Sequence, residues 1–99
     1  MKKILAICGS GLGSSFMVEM NIKNVLKDLG VAVGLGDIEV DHMDLGSAYP
    51  GVADLIVCGK DLKDNVERFE AELLVLDNIF DKTELKNKLE AVLKEKGII

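Results

Sequence analysis

The stretch KILAICGSGLGSSFMVEM (residues 3–20) runs from an unbroken apolar segment, through a cysteine and three glycines, into a segment whose apolar residues are spaced for a helix. Residues 4–7, Ile-Leu-Ala-Ile, contain no polar alternation. A strand so composed is covered on both faces, as the central strands of parallel sheets are. From Ser14 to Leu29 the apolar positions Val18, Ile22, Val25, Leu26 and Leu29 fall at i, i+4, i+7, i+8 and i+11, one face of a helix, and Gly30 offers a left-handed stop. Strand, glycine turn and helix in this order open an α/β fold.

The remaining chain repeats the theme. VAVGLGDIEV (31–40) is β-branched but interrupted by Gly34 and Gly36, which predicts an edge strand with a bend. DHMDLGSAYPG (41–51) has turn chemistry and reads as a connection. ADLIVC (53–58) and ELLVL (72–76) read as buried strands, separated by a short helix marked by Leu62, Val66 and Phe69. A final helix starts near Asp81, with Glu84 three positions on as a capping box, and buries Leu85, Leu89, Val92 and Leu93. The order β-α-β-β-α-β-α predicts a four-stranded parallel sheet, spatial order 2-1-3-4, with helices on both faces. This is a Rossmann-like α/β arrangement, similar to that of the low-molecular-weight tyrosine phosphatases. In such sheets the functional crevice lies outside the carboxyl ends of the strands, beside the first one.

Ninety-nine residues with 48% hydrophobic and 29% charged side chains fit one globular domain over residues 1–99. No apolar run approaches the length of a membrane span, and Met-Lys-Lys leads into an apolar segment too short for a secretory signal. The expectation is a cytoplasmic chain that does not itself span a membrane. Twelve basic against 17 acidic residues, with Arg68 the sole arginine, argue against a nucleic-acid surface. Cys8 and Cys58 form neither a CxxC motif nor a zinc spacing. The acidic run Asp37, Glu39, Asp41, His42, Asp44 lacks the glycine and the twelfth-position acid of a calcium loop. No metal and no cofactor are expected.

The chemistry concentrates at Cys8. Gly9, Ser10, Gly11, Leu12 and Gly13 lead into Ser14 and Ser15 at a helix start, where successive N–H groups can form an anion nest that glycines permit. Ser15 has no acidic partner three residues on, which leaves the hydroxyls of Ser10, Ser14 and Ser15 to a ligand rather than to a capping box. A helix N-terminus also favours a thiolate. Thiolate and phosphate nest together suggest phosphoryl transfer through a phosphocysteine. A dinucleotide fingerprint fails because residue 14 is Ser, and a Walker loop fails for want of its lysine. A tight structural turn, or a non-catalytic anion- or nucleotide-binding module, are the plainer readings of a glycine loop alone.

CGSGLGSS, directly after a lysine-led first strand and followed by a Met-rich helix, resembles the phosphorylation loop of the enzyme IIB components of the bacterial phosphoenolpyruvate-dependent sugar phosphotransferase system. The resemblance is to the ascorbate and galactitol branch of the lactose/cellobiose-type superfamily, and extends to the third strand, ADLIVCGKDL. It implies that Cys8 accepts phosphate from a phosphohistidine of a IIA component and passes it to a sugar bound by a membrane IIC component, with Gly9 through Ser15 holding the phosphoryl oxygens. The rival is the low-molecular-weight phosphatase and arsenate-reductase group, whose signature is Cys, five residues, then Arg. Here that place is Ser14, and Arg68 falls toward the end of the second helix, away from the strands' carboxyl ends.

Other candidates have plain alternatives. Cys58 ends a buried strand and reads as a packing thiol, Lys60 as a solvated lysine, and His42, with no identifiable partner, as a surface residue. Phe16, Met17 and Met20, near the front of the first helix, are candidates for transient docking of the partners as well as for rim packing.

Overall fold

The computed structural model describes residues 2–7, 12–34 and 37–99, with the backbone alone described at Leu12 and Gly13. Its regular elements are β1 (Lys3–Ile7), α1 (Leu12–Asp28), β2 (Glu39–Met43), β3 (Leu55–Gly59), α2 (Lys63–Val66), β4 (Glu72–Leu76) and α3 (Lys82–Glu95). Single 3-10 turns occupy Leu45–Ser47, Lys60–Leu62 and Glu67–Phe69.

The four strands are parallel in the order β2-β1-β3-β4. Right-handed crossovers dictate the layers. The step from β1 to β2 carries α1 over one face; the steps from β2 to β3 and β3 to β4 run the opposite way and carry their connections over the other. The carboxyl edge therefore parts between β1 and β3, the switch point where α/β sheets open a crevice.

Ile4 and Ala6 pack with Val40, Leu55, Val57, Leu74 and Leu76 under α1 and α3. Leu5 and Ile7 pack with Ile56, Cys58, Leu62, Val66 and Phe69 on the opposite face. Residues 4–7 and 55–59 are buried throughout, because both central strands are covered on both sides. The predicted helical stripe is also present: Val18, Ile22, Val25 and Leu26 are buried and Leu29 packs beside them.

The second strand lies later than the sequence suggested. Between Val33 and Ile38 there is one isolated bridge, where Gly34 (φ +133°) and its hydrogen bonds with Asp37 and Ile38 bend the chain. The ladder then runs Lys3↔Glu39 to Ile7↔Met43, so Asp41, His42 and Met43, expected in a connection, are strand. Their polar character is tolerated because β2 is an edge strand with one side wet.

Both long helices close by the Schellman arrangement. Gly30 (φ +76°) donates to Lys27 O and Val31 to Leu26 O; Gly97 (φ +74°) donates to Lys94 O and Ile98 to Leu93 O. At the start of α3, Asp81 Oδ1 accepts from the Thr83 and Glu84 amides at 3.0 and 3.1 Å. The reciprocal half of the expected capping box does not form, since the Asp81 amide already donates to Asn78 O. Glu84 instead reaches back to the end of β4, accepting from the Asp77 and Asn78 amides at 2.7 and 3.0 Å, while Lys88 Nζ bridges Glu84 and Val75 O, each at 2.7 Å.

The Lys88 hydrogen bond, then the two amides, hold the Glu84 carboxyl down at about 2, from an ordinary 4.5. A carboxyl lowered by folding contributes stability that is complete above its unfolded value and is lost as pH falls toward its folded one. Glu84→Gln is therefore expected to melt below the unmodified chain at pH 7, with the gap in Tm by circular dichroism closing as pH falls from about 4.5 to about 2.

Candidate functional site

The carboxyl edge of the sheet gathers the ends of β1, β2, β3 and β4. Cys8, Gly9, Ser10 and Gly11 lie outside the described residues. Ile7, the last residue of β1, is buried, and Leu12 and Gly13 open α1 in helical conformation. Ser14 is half-buried and Ser15 fully buried. The first turn of α1 carries no acidic side chain, so the positive end of a 17-residue helix is not neutralised from within. Such an end favours an anion.

Phe16 and Met20 are 49% and 41% exposed, one turn apart on α1. Met17 differs from them, being half-buried against the core. Cys58 is buried on the α2 face beside Leu5 and Ile7. Lys60 is exposed and directly follows β3 at the carboxyl edge. Arg68 stacks its guanidinium over the Phe69 ring, 4.9 Å from the centroid. Both belong to the segment that leads into the amino end of β4, and the Phe69 carbonyl accepts from Gly51. The only arginine is thus committed at the far end of the sheet from the candidate site.

His42 is not the partnerless surface residue expected. Period-two alternation along β2 puts it on the face of Val40, toward α1, where its Nδ1 lies 2.5 Å from Glu19 Oε1. The ring meets Phe16 edge-on, with centroids 5.4 Å apart and planes at 73°. Glu19 is 94% buried by its 6% exposure, and its second oxygen accepts from Lys23 Nζ at 2.7 Å. Donor atoms of Glu19, Asp41 and His42 all fall within 4.8 Å of one another. Both Glu19 oxygens are engaged by nitrogen atoms, one by Lys23 Nζ and the other by His42 Nδ1.

Burial by itself would raise the Glu19 carboxyl; the hydrogen bonds from His42 and Lys23, with the Lys23 and His42 charges, outweigh it and hold the group below its ordinary value. The pair is hidden in the sequence because the turn chemistry of residues 41–51 places His42 in a connection. Extending the second strand by its alternation past Val40 would have aimed His42 at the helix. The i, i+4 pair Glu19 and Lys23 lies beside the apolar stripe, with Ile22 three residues from Glu19.

Comparison with known proteins adds a family. The family described as PTS system, lactose/cellobiose-specific IIB subunit, matches residues 3–91. A protein of Mycoplasma pneumoniae described as the ascorbate-specific PTS system EIIB component is 26% identical over 91 residues, covering 91% of this chain and 93% of that one.

Removing Glu19 strands two donors, one of them largely buried, whereas removing Lys23 leaves Glu19 still bonded to His42. Glu19→Ala is accordingly expected to cost about 1–3 kcal/mol and Lys23→Ala less than about 1 kcal/mol, read from urea unfolding at pH 7. Equal losses for the two would contradict this hierarchy.

Proposed function

The chain belongs to the lactose/cellobiose-specific IIB family of the PTS system, and from that premise we propose that it carries a phosphoryl group on Cys8, taken from a phosphohistidine of a IIA component and given to a sugar bound by a membrane IIC component. The observation that carries this reading is the conjunction of a family match over residues 3–91 with a cysteine immediately following β1, next to a helix whose first turn is free of acid. Residues 1–99 act as one IIB unit at the cytoplasmic side of the membrane. Among the described residues no helix is long and apolar enough to cross a membrane; in this reading the sugar is bound by the IIC component. The name of the Mycoplasma relative favours ascorbate over a galactitol-like sugar as the final acceptor.

In the first half-reaction the Cys8 sulfur attacks phosphorus in line. The S–P bond forms, the P–N bond of the donor breaks, and the departing imidazole takes the electron pair and a proton. Backbone N–H groups of residues 9–15 hold the equatorial oxygens. In the second, a sugar hydroxyl displaces the thiolate. The loop sequence supports transfer rather than hydrolysis, since it lacks the bidentate arginine of a phosphatase at Ser14, and Arg68 is held elsewhere. Phosphate is held firmly enough to be received and loosely enough to be passed on.

Incubation with a phosphorylated IIA component is expected to add one phosphoryl group, located on Cys8 by mass spectrometry, and Cys8→Ser is expected to abolish the label while preserving the fold. Aryl phosphates are turned over weakly or not at all. Label persisting on His42 or a serine in the Cys8→Ser chain would overturn the reading, and brisk thiol-dependent aryl phosphate hydrolysis would move it to the phosphatase group.

Docking of two partners in turn requires an open, adaptable surface near the loop. Phe16 and Met20 provide exposed apolar area there, and a methionine adjusts to partners of different shape. Met17 contributes to the same rim while also filling the core, so its replacement would affect stability as well. Met20→Asp is expected to slow transfer from IIA at least severalfold while changing stability by under about 1 kcal/mol. Val18→Asp places a charge at a 1% exposed position and is expected to unfold the chain. Unchanged transfer in Met20→Asp would remove the docking role.

A further inference from the structure

Hydrogen bonding inside a folded chain is nearly complete, so a buried polar side chain without a partner marks a place where a further group is accommodated. Asn21 of α1 is such a residue. It is 6% exposed, and its side-chain amide has no partner among the described residues. It stands on the flank of the apolar stripe, three residues after Val18 and four before Val25, where an apolar residue would pack. The amide is not sealed in; it lines a groove of about 420 Å³ between α1 and α3. We propose that this groove binds a phosphorylated polyol, with its phosphoryl group taken by Lys82 and Lys86 of α3 and a hydroxyl by Asn21. The site does not depend on the phosphocysteine reading.

Three features fix the chemistry of the ligand. The first is charge. Lys82 and Lys86 stand one turn apart on α3, both exposed and both on the groove. The other lysines of that helix each pair with a glutamate one turn earlier, Lys88 with Glu84 and Lys94 with Glu90. Lys82 and Lys86 make no ion pair among the described residues, and like charges at this spacing repel. A doubly charged phosphomonoester relieves that repulsion by bonding to both. The second is the amide. It offers an N–H donor and a carbonyl acceptor, which a hydroxyl meets with an acceptor and a donor of its own, whereas a fully ionised phosphate has only acceptors. Asp28, also on the groove, repels a bare anion but accepts from a hydroxyl, and Thr83 bonds to either. The third is size: the groove falls in the range of small-molecule sites, and buried Val25 gives its floor an apolar surface for carbon.

The amino end of α3 is not the source of the attraction, because Asp81 Oδ1 already accepts from the Thr83 and Glu84 amides. Nor is the groove part of the opening between β1 and β3. Asn21 lies roughly 13 Å of helix beyond Leu12, where α1 and α3 lie over the same face of the sheet. A ligand seated there ties two helices together and stabilises the folded chain by mass action.

Binding is followed by NMR of the backbone and side-chain amides of the full chain, with glucitol 6-phosphate, inorganic phosphate and glucitol as probes. Glucitol 6-phosphate is expected to shift the Asn21 side-chain amide together with the Thr83 and Lys86 backbone amides, saturably, and to raise Tm. Inorganic phosphate is expected to bind roughly tenfold more weakly, and glucitol not at all. The double variant Lys82→Gln, Lys86→Gln is expected to lose roughly tenfold in affinity for glucitol 6-phosphate. Asn21→Leu removes the amide at similar volume; it is expected to melt at or above the unmodified chain, since no hydrogen bond is lost, and to bind glucitol 6-phosphate no better than inorganic phosphate. Equal binding of the two phosphates by the unmodified chain, an adventitious ion only, overturns the proposal, as does affinity that survives loss of both lysines; should Asn21→Leu not fold, these two comparisons decide. Shifts confined to residues 12–15 overturn it as well and place the phosphate at the start of α1. Phosphoryl label on Cys8 without binding in the groove would overturn this inference alone, whereas binding in the groove without label from IIA would overturn the carrier reading alone.

Discussion

Two strands without a polar face constrain everything else in this protein. β1 and β3 bury every residue from Ile4 to Ile7 and from Leu55 to Gly59, so helical or looped layers must cover both sides of the sheet. Parallel strands can be joined only by crossovers, and crossovers have one hand. Once β2 lies on one side of β1 and β3 on the other, α1 and α2 are forced onto opposite faces and the carboxyl edge must part between β1 and β3. The position next to the end of β1 becomes the natural place for a reactive group for reasons of topology alone.

The carboxyl edge is fastened by acids reaching from helices rather than by the strands themselves. Glu84 of α3 accepts both amides that follow β4, and Lys88 beside it binds the Val75 carbonyl. Glu19 of α1 anchors His42 on β2 and Lys23 on its own helix. At the amino edge Asp54 does the same for β1, its Oδ2 accepting the Lys2 and Lys3 amides at 2.8 and 2.9 Å. Each of these carboxyls is held below its ordinary value, Asp54 and Glu84 by donated hydrogen bonds, and Glu19 by donors that overcome its burial. The buried Glu19 and half-buried Glu84 are tolerable here because each is met by at least two donors, the condition under which a carboxylate in a poorly solvated site is stable.

A carrier must hold phosphate without keeping it. A charged clamp would deepen the bound state, and the sole arginine is spent on the Phe69 ring. Phe16, exposed, meets the His42 ring edge-on, and Met20 is exposed one turn further along α1.

By itself the sequence determined the sheet, its strand order, the α1 stripe and its Gly30 stop, since each rests on periodicity or on a residue with one conformational use. The resemblance carried by CGSGLGSS was likewise readable, and the family match spans the same chain. Tertiary structure decided what local pattern left open. Glu84 lost its place in the capping box because the Asn78 carbonyl had already taken the Asp81 amide. The strand through Asp41–Met43 looked like a turn because an edge strand tolerates polar side chains that a propensity reading assigns to loops. Glu19 and His42, 23 residues apart, became partners only when α1 was laid over that strand, for a hydrogen bond between distant residues is written in the packing of two elements and in neither element alone.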